Sequence, residues 1–190
     1  MNMFDIEKLK YPFLSYINNI LIYRRISMRK GLSEKELAFI SELELKSKYF
    51  FTLDETNRFF TSKNERGVYM HRLRKKGRVV KLNKSKYYLV PVKAIGSHWS
   101  EHPFILIDEM MNSRNYCIVG KAAAYHWKLI DQIPLAFEVW NTKKHGTVTI
   151  FNAHLEFKKH KKKDIPHGVV QQIQRHSCIV ASKGESKRWR

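Results

Sequence analysis

Acidic residues are scarce in this chain: 17 Asp and Glu stand against 36 Lys and Arg, a formal charge of +19 over 190 residues. Self-repulsion of that size opposes folding, so a polyanionic partner is the economical explanation, nucleic acid before an anionic membrane surface. Cysteine is scarce too. Cys117 and Cys178 alone cannot form a disulfide scaffold, and Asp5 and Glu7, ahead of any apolar run, do not suit a secretory signal. The expected compartment is a reducing cytoplasm. Long hydrophobic runs are missing as well. The best one, residues 13–26, is broken by Asn18, Asn19, Arg24 and Arg25, far short of the ~20 apolar residues that span a bilayer. HExxH, CxxC, a glycine-rich phosphate loop and a serine nucleophile elbow are all absent, as are internal repeats, so neither a metal, a cofactor nor an enzyme is expected. What is abundant is core material: 43% of the residues are hydrophobic and 13% aromatic, which argues against disorder.

The chain is read as α+β, with an N-terminal helical and winged helix-turn-helix part (residues 1–92), a small α+β domain (93–163) and a basic, mobile tail (164–190). Phe13, Ile17, Ile20, Leu21, Arg24 and Met28 lie along one stripe of an expected helix over residues 13–29, stopped by Gly31. Ser33 with Glu36 spells a capping box, and Leu37, Ile40, Leu43 and Leu45 supply the apolar face of a second helix. Thr52 with Glu55 opens a third helix, running to Phe59 or Phe60. Ser62 with Glu65 opens a fourth, running to Lys76 with Gly77 as its stop. On that fourth helix Arg66, Tyr69, Met70 and Leu73 fall toward the core, and Lys63, Asn64, Gly67, Val68, His71 and Lys75 fall on the other side. Residues 78–82 and 87–90 then read as a hairpin with the polar tip Asn83-Lys84-Ser85-Lys86, ended by Pro91. Ten Lys/Arg and one acid occur within residues 61–86. Helix, turn, basic helix and basic hairpin in that order is how a winged helix-turn-helix meets DNA.

The remainder reads as a linker, a helix from Pro103, a strand at 116–119, a helix at 121–129, a strand at 135–141 and a hairpin of 147–151 with 155–159. From residue 161 onward periodicity is weak.

On these residues the chain resembles the AbiEi family of antitoxin-type transcriptional regulators, over roughly residues 43–159. The resemblance is carried by FFTLDET, by HRLRKKGRVVKLNKSKYYLVP, by HPFILIDEM, and by YCIVGKAAAYHWKLIDQIP followed by FEVWNT. It implies a DNA-binding repressor of its own operon, acting on inverted repeats in double-stranded DNA. It also implies antagonism toward a nucleotidyltransferase-like toxin of a type IV toxin–antitoxin system. Family members continue through a longer helical segment after a "vASpEkA"-like stretch, and here IVASKGESKRWR stops where that segment begins.

The expected DNA contacts are Thr52, Ser62, Lys63, Asn64, His71, Arg72, Lys75, Lys84 and Lys86. Lys63, Asn64 and His71 would reach base edges, since Asn suits adenine and Lys suits guanine. Thr52 offers a hydroxyl and N–H groups to a phosphate. Arg72, Arg74, Lys75 and Lys76 would track phosphates and Lys84 and Lys86 the backbone or minor groove, although Lys75 and Lys76 also suit a helix C-terminal dipole. A homodimer reading two half-sites is compatible with the motif. Two rivals come from the same residues. Glu156-Phe157-Lys158 on a strand is an E-x-K pair, and with Asp131 it could serve a metal-dependent nuclease. The basic run at 158–163 with Trp99, Trp127, Trp140 and Trp189 could serve an RNA-binding or ribosome-associated protein. His98 with His102, His154 with His160 and His167 with His176 lack any metal-site spacing, and Cys117 is expected as a small core side chain.

Overall fold

The computed structural model describes residues 31–91 and 101–190; the helix expected at 13–29, together with His98 and Trp99, lies outside them. The described chain is α+β. Helix α1, Glu34–Leu45, starts at the Ser33/Glu36 capping box, with both reciprocal bonds formed. Its core face differs from the expected one: Phe39, Ile40 and Leu43 are buried, whereas Leu37 and Leu45 are 51% and 86% exposed. Strand β1, Phe50–Thr52, leads into a 3₁₀ turn, Asp54–Phe59. The Thr52/Glu55 pair therefore does not open an α-helix. The Glu55 carboxylate accepts from both the N–H and the hydroxyl of Thr52 and closes the bend between strand and turn. Helix α2, Lys63–Lys75, follows, capped by Ser62 Oγ accepting from the Glu65 N–H. The Glu65 carboxylate reaches one residue further back than a capping box requires, to Thr61. Gly77, at φ +70°, then turns the chain out of the helix, a conformation that is strained for a residue with a Cβ. Strands β2, Val79–Lys81, and β3, Lys86–Leu89, form the hairpin, and β3 lies between β1 and β2 in a three-stranded antiparallel sheet.

Period 2 along this hairpin explains how the molecule holds together. Tyr87 and Leu89 join Phe39, Ile40, Leu43, Phe51, Met70 and Leu73 in one core. Tyr88 and Val90, on the opposite face, belong to a second core with Phe104, Ile118, Val139, Phe157 and Val180. A sheet buried on both faces reads as a continuous apolar run, which is what YYLV is. Helix α3, Pro103–Met111, is capped by His102 Nδ1 accepting from the Phe104 N–H. Strand β4, Tyr116–Ile118, helix α4, Gly120–His126, and strands β5, Phe137–Asn141, β6, Gly146–Ile150, and β7, Ala153–Lys159, follow within a residue or two of expectation at most boundaries.

The segment after residue 161 departs from expectation. It forms β8, Gly168–Ile173, and β9, His176–Ala181, a hairpin that completes a six-stranded mixed sheet in the order β6-β7-β5-β4-β9-β8. A parallel pairing of Ile118 with Val180 joins β9 to β4. Burial of Cys178, Val180 and Ala181 secures the join, as does Tyr116, whose hydroxyl donates to Asp108 Oδ1 (2.8 Å) and accepts from the Ile179 N–H (3.0 Å). The short helix α5, Lys183–Ser186, and a 3₁₀ turn, Lys187–Trp189, end the regular structure. Among the described residues no helix is long and apolar enough to cross a membrane.

Candidate nucleic-acid interface

Burial splits α2 into two faces as the sequence pattern predicts. Met70 and Leu73 are buried and Arg66 and Tyr69 half-buried, while Lys63, Asn64, Gly67, Val68, His71, Arg72 and Lys75 are all exposed. These outward positions recur at i, i+1, i+4, i+5, i+8, i+9 and i+12, one continuous helical face. Arg66 fixes the helix by donating to the Leu53 carbonyl (3.0 Å) and to Asn57 Oδ1 of the preceding turn.

Carboxylates are distributed so as to leave that face cationic. Glu36 pairs with Lys76, Glu42 with Lys46 and Arg58, Glu55 with Lys48, and Glu65 with Lys35. Glu36 and Glu42 are on α1, Glu55 is in the 3₁₀ turn, and Glu65, in the first turn of α2, reaches across to Lys35 of α1. The Lys35 ammonium, with the Thr61 hydroxyl and N–H, holds the Glu65 carboxyl down to about 2. Burial alone would raise Glu36, but Lys76 and the Ser33 N–H outweigh it and leave its pKa lowered. Both acids are therefore ionised at neutral pH, and both act on the structural side of α2. Among the described residues no carboxylate forms an ion pair with Lys63, Arg72, Arg74, Lys81 or Lys84. Arg72 also lies over the Tyr69 ring, 5.7 Å from its centroid.

Three expected contact residues are otherwise engaged. Thr52 gives both its hydroxyl and its N–H to Glu55 rather than offering them outward. Ser62 is exposed, but its hydroxyl is the N-cap of α2. Lys86 is ion-paired with Glu109 of α3 at 2.5 Å. The Asn83 amide adds to this tie, donating to the Glu109 and Met110 carbonyls and to Asn112. The hairpin is thus clamped to the C-terminal core, and only Lys84 and Ser85 at its tip are exposed. Lys76, also expected to track phosphate, is held by Glu36 and the Gly31 carbonyl. Lys81 joins the exposed cations; the alternation in VVK, with a buried Val79, was the signal for it.

The two rival constellations come out differently from expectation. Asp131 lies in the loop between α4 and β5, not on a strand beside Glu156. In-register parallel pairing of β5 and β7 instead places Glu138 opposite Glu156, and Lys158 Nζ lies 3.0 Å from Glu138 and 3.5 Å from Glu156. Glu138 in turn accepts from Trp140 Nε1. The acids, the lysine and the indole satisfy one another. As for the tryptophans, Trp127 Nε1 donates to the Ala181 carbonyl, and Trp140 stacks on His160 at 4.2 Å with Trp189 packed edge-on. These rings are engaged in the fold.

Histidines are likewise partnered singly: His102 at a helix cap, His154 with Thr149, His160 on Trp140. Among the described residues Asp108, Glu109 and His176 bring possible ligand atoms within 4.8 Å, but Asp108 is held by Tyr116 and Ser113, and Glu109 by Lys86 and His176. Burial pushes both cysteine thiols up to about 12, so each is a core side chain.

No protein-family model matches this chain, and no curated protein matches it. Among solved structures it is similar to the RV2827C protein from Mycobacterium tuberculosis, at 14% identity and a TM-score of 0.49. The match covers 71% of this chain and 48% of the other, so it spans about half the length of that neighbour. A likeness this distant carries no argument about activity.

Proposed function

We propose that this chain is a sequence-specific, double-stranded-DNA-binding transcriptional regulator. In this reading residues 31–91 act as a winged helix-turn-helix, with α2 in the major groove and the hairpin tip as the wing. One observation carries it. The outward face of α2 carries Lys63, His71, Arg72 and Lys75 beside Asn64, Gly67 and Val68, and no carboxylate of the described residues pairs with Lys63 or Arg72, while Glu36, Glu42, Glu55 and Glu65 are each taken by other cations. A helix that merely covered a core would have no need of that sorting. On such a face Lys63 and Asn64, in the first turn, are placed to read base edges, and Arg72, Arg74, Lys81 and Lys84 add phosphate contacts that supply affinity without sequence information. The sequence resemblance extends the reading to a cytoplasmic autorepressor of the antitoxin type, acting beside a nucleotidyltransferase-like toxin.

The test is binding to the chain's own upstream DNA against a scrambled duplex of equal length over a range of salt. A preference that persists as salt rises supports base readout, and K63A/N64A should abolish it while leaving most of the non-specific affinity. Equal binding to both duplexes that collapses with salt would replace the regulator by a general polyanion binder.

A further inference from the structure

Strand β8 lies at an edge of the six-stranded sheet, hydrogen-bonded to β9 on one side and, among the described residues, to no strand on the other. Its sequence is GVVQQI. Val169 and Val170, pointing to opposite faces, are 41% and 59% exposed. Edge strands present a row of unpaired backbone N–H and C=O groups, and proteins blunt them with lysine, proline, a bulge or a covering loop. β8 has no charged residue and no proline, and it pairs with β9 without interruption from Gly168↔Ala181 to Ile173↔His176. Gly168 is needed for that regularity, because a Cβ there would run into the Ile179 side chain. The edge is uncharged, and among the described residues its one side-chain cover of a backbone group is the Gln171 amide donating to the Val170 carbonyl (3.2 Å).

We propose that β8 is the seam of a symmetric homodimer, pairing antiparallel with β8 of a second copy. Charge selects this occupant. In a chain of +19, two copies repel nearly everywhere, but residues 168–174 carry no charge. With the two-fold axis through the Val170 pair, as the alternation of side chains along a strand requires, Val170 faces Val170 of the partner subunit and Gly168 faces Gln172 of the partner subunit. His167 then meets Ile173 of the partner subunit and Arg175 meets Ile165 of the partner subunit, so no two cations stand opposite each other. The opposite edge, β6, does not offer this: it is entered directly from Lys143-Lys144-His145. An acidic partner would be drawn to the cationic surfaces rather than to this neutral strip. A six-residue edge is small beside the ~1,600 Å² of a standard interface, so self-association is expected at about micromolar strength. Assigning the second copy to a second DNA half-site rests on the reading above; the pairing itself does not.

The experiment is sedimentation equilibrium of the full chain without DNA, from low micromolar to about 0.2 mM, bracketing that strength. The mass should rise from the 22.7 kDa of one chain toward twice that value. V170K/Q171K sets two like charges face to face on the axis at position 170 and adds a second cation beside each, and should weaken association about tenfold or more, whereas V170T/Q171T should leave it intact. A wild-type mass that stays at one chain throughout, or a folded V170K/Q171K that associates like wild type, overturns the seam. Should V170K/Q171K lose its native circular dichroism, amide exchange of the wild type decides. Slower exchange in β8 at higher concentration supports the pairing, and unchanged rates overturn it. A dimer without sequence preference would sink the DNA reading and leave the seam. A monomer that still prefers its upstream DNA would do the reverse.

Discussion

Gly67 is where a single residue separates a structural role from a functional one. It sits mid-helix in α2, exposed, and a Cβ added there would meet nothing within 4 Å. Glycine in a helix interior costs about 1 kcal/mol relative to alanine, and nothing in the free protein compensates. If α2 lies in a groove, the missing Cβ allows close approach of the DNA. Gly67→Ala should therefore raise the unfolding midpoint by about 1 kcal/mol of stability while weakening duplex binding about tenfold. Urea unfolding and a binding titration check the two halves, and a variant that gains stability with no loss of affinity would move the DNA contact away from this face. The two sides of α2 were legible in the sequence because Met70, Leu73 and their neighbours keep a helical period. The roles of Thr52 and Ser62 were less so. Hydroxyls beside a helix start suit a phosphate or a cap equally, and only the positions of Glu55 and Glu65 show that the protein itself takes them.

At the scale of elements, the hairpin carries two lysines with different fates. Lys84, exposed at the tip, is available to a phosphate, while Lys86 is tied to Glu109 and helps dock the hairpin on α3. K84A should lower affinity for all duplexes and flatten the salt dependence by about one unit of slope. K86A should leave that slope unchanged and instead destabilise the fold, because it leaves the half-buried Glu109 without its lysine. Salt titrations of both variants with urea unfolding distinguish them, and equal slopes lost by both would mean that Lys86 leaves Glu109 for DNA. Hairpin strands announced themselves through β-branched and aromatic residues around a polar tip. Strands β8 and β9 did not, for a reason visible in their turn. Gln174 takes the left-handed conformation, φ +55°, that glycine or asparagine ordinarily marks. Strand β9 is also placed by a parallel pairing with β4, some sixty residues earlier in the chain, a contact that no local period encodes. Phe151, at φ +53°, turns β6 into β7 just as silently, though alternation in the flanking strands gave that pair away.

Over the whole molecule the net charge makes opposite demands on folding and on binding. Local ion pairs hold Glu36, Glu42, Glu55 and Glu65 to Lys76, Lys46 and Arg58, Lys48 and Lys35, so the excess positive charge stays on exposed surfaces, where self-repulsion is long-ranged and salt screens it over about 10 Å at 0.1 M. The exposed ion pairs are each worth little, about 1 kcal/mol or less, so screening the repulsion should outweigh screening the pairs. Raising salt from about 0.05 M to about 0.5 M should therefore raise the thermal midpoint of the free protein. The same change should lower its affinity for any duplex by orders of magnitude, as condensed counterions cease to drive binding. Self-association through the uncharged β8 edge should strengthen over the same range, since the copies repel less while nothing at the seam is screened. Thermal unfolding, duplex titration and sedimentation across one salt series thus give three slopes with the signs plus, minus and plus. A falling midpoint would mean that the local ion pairs outweigh the net repulsion, and the excess charge would then have to be accounted for by something other than a polyanionic partner held at the outward face of α2.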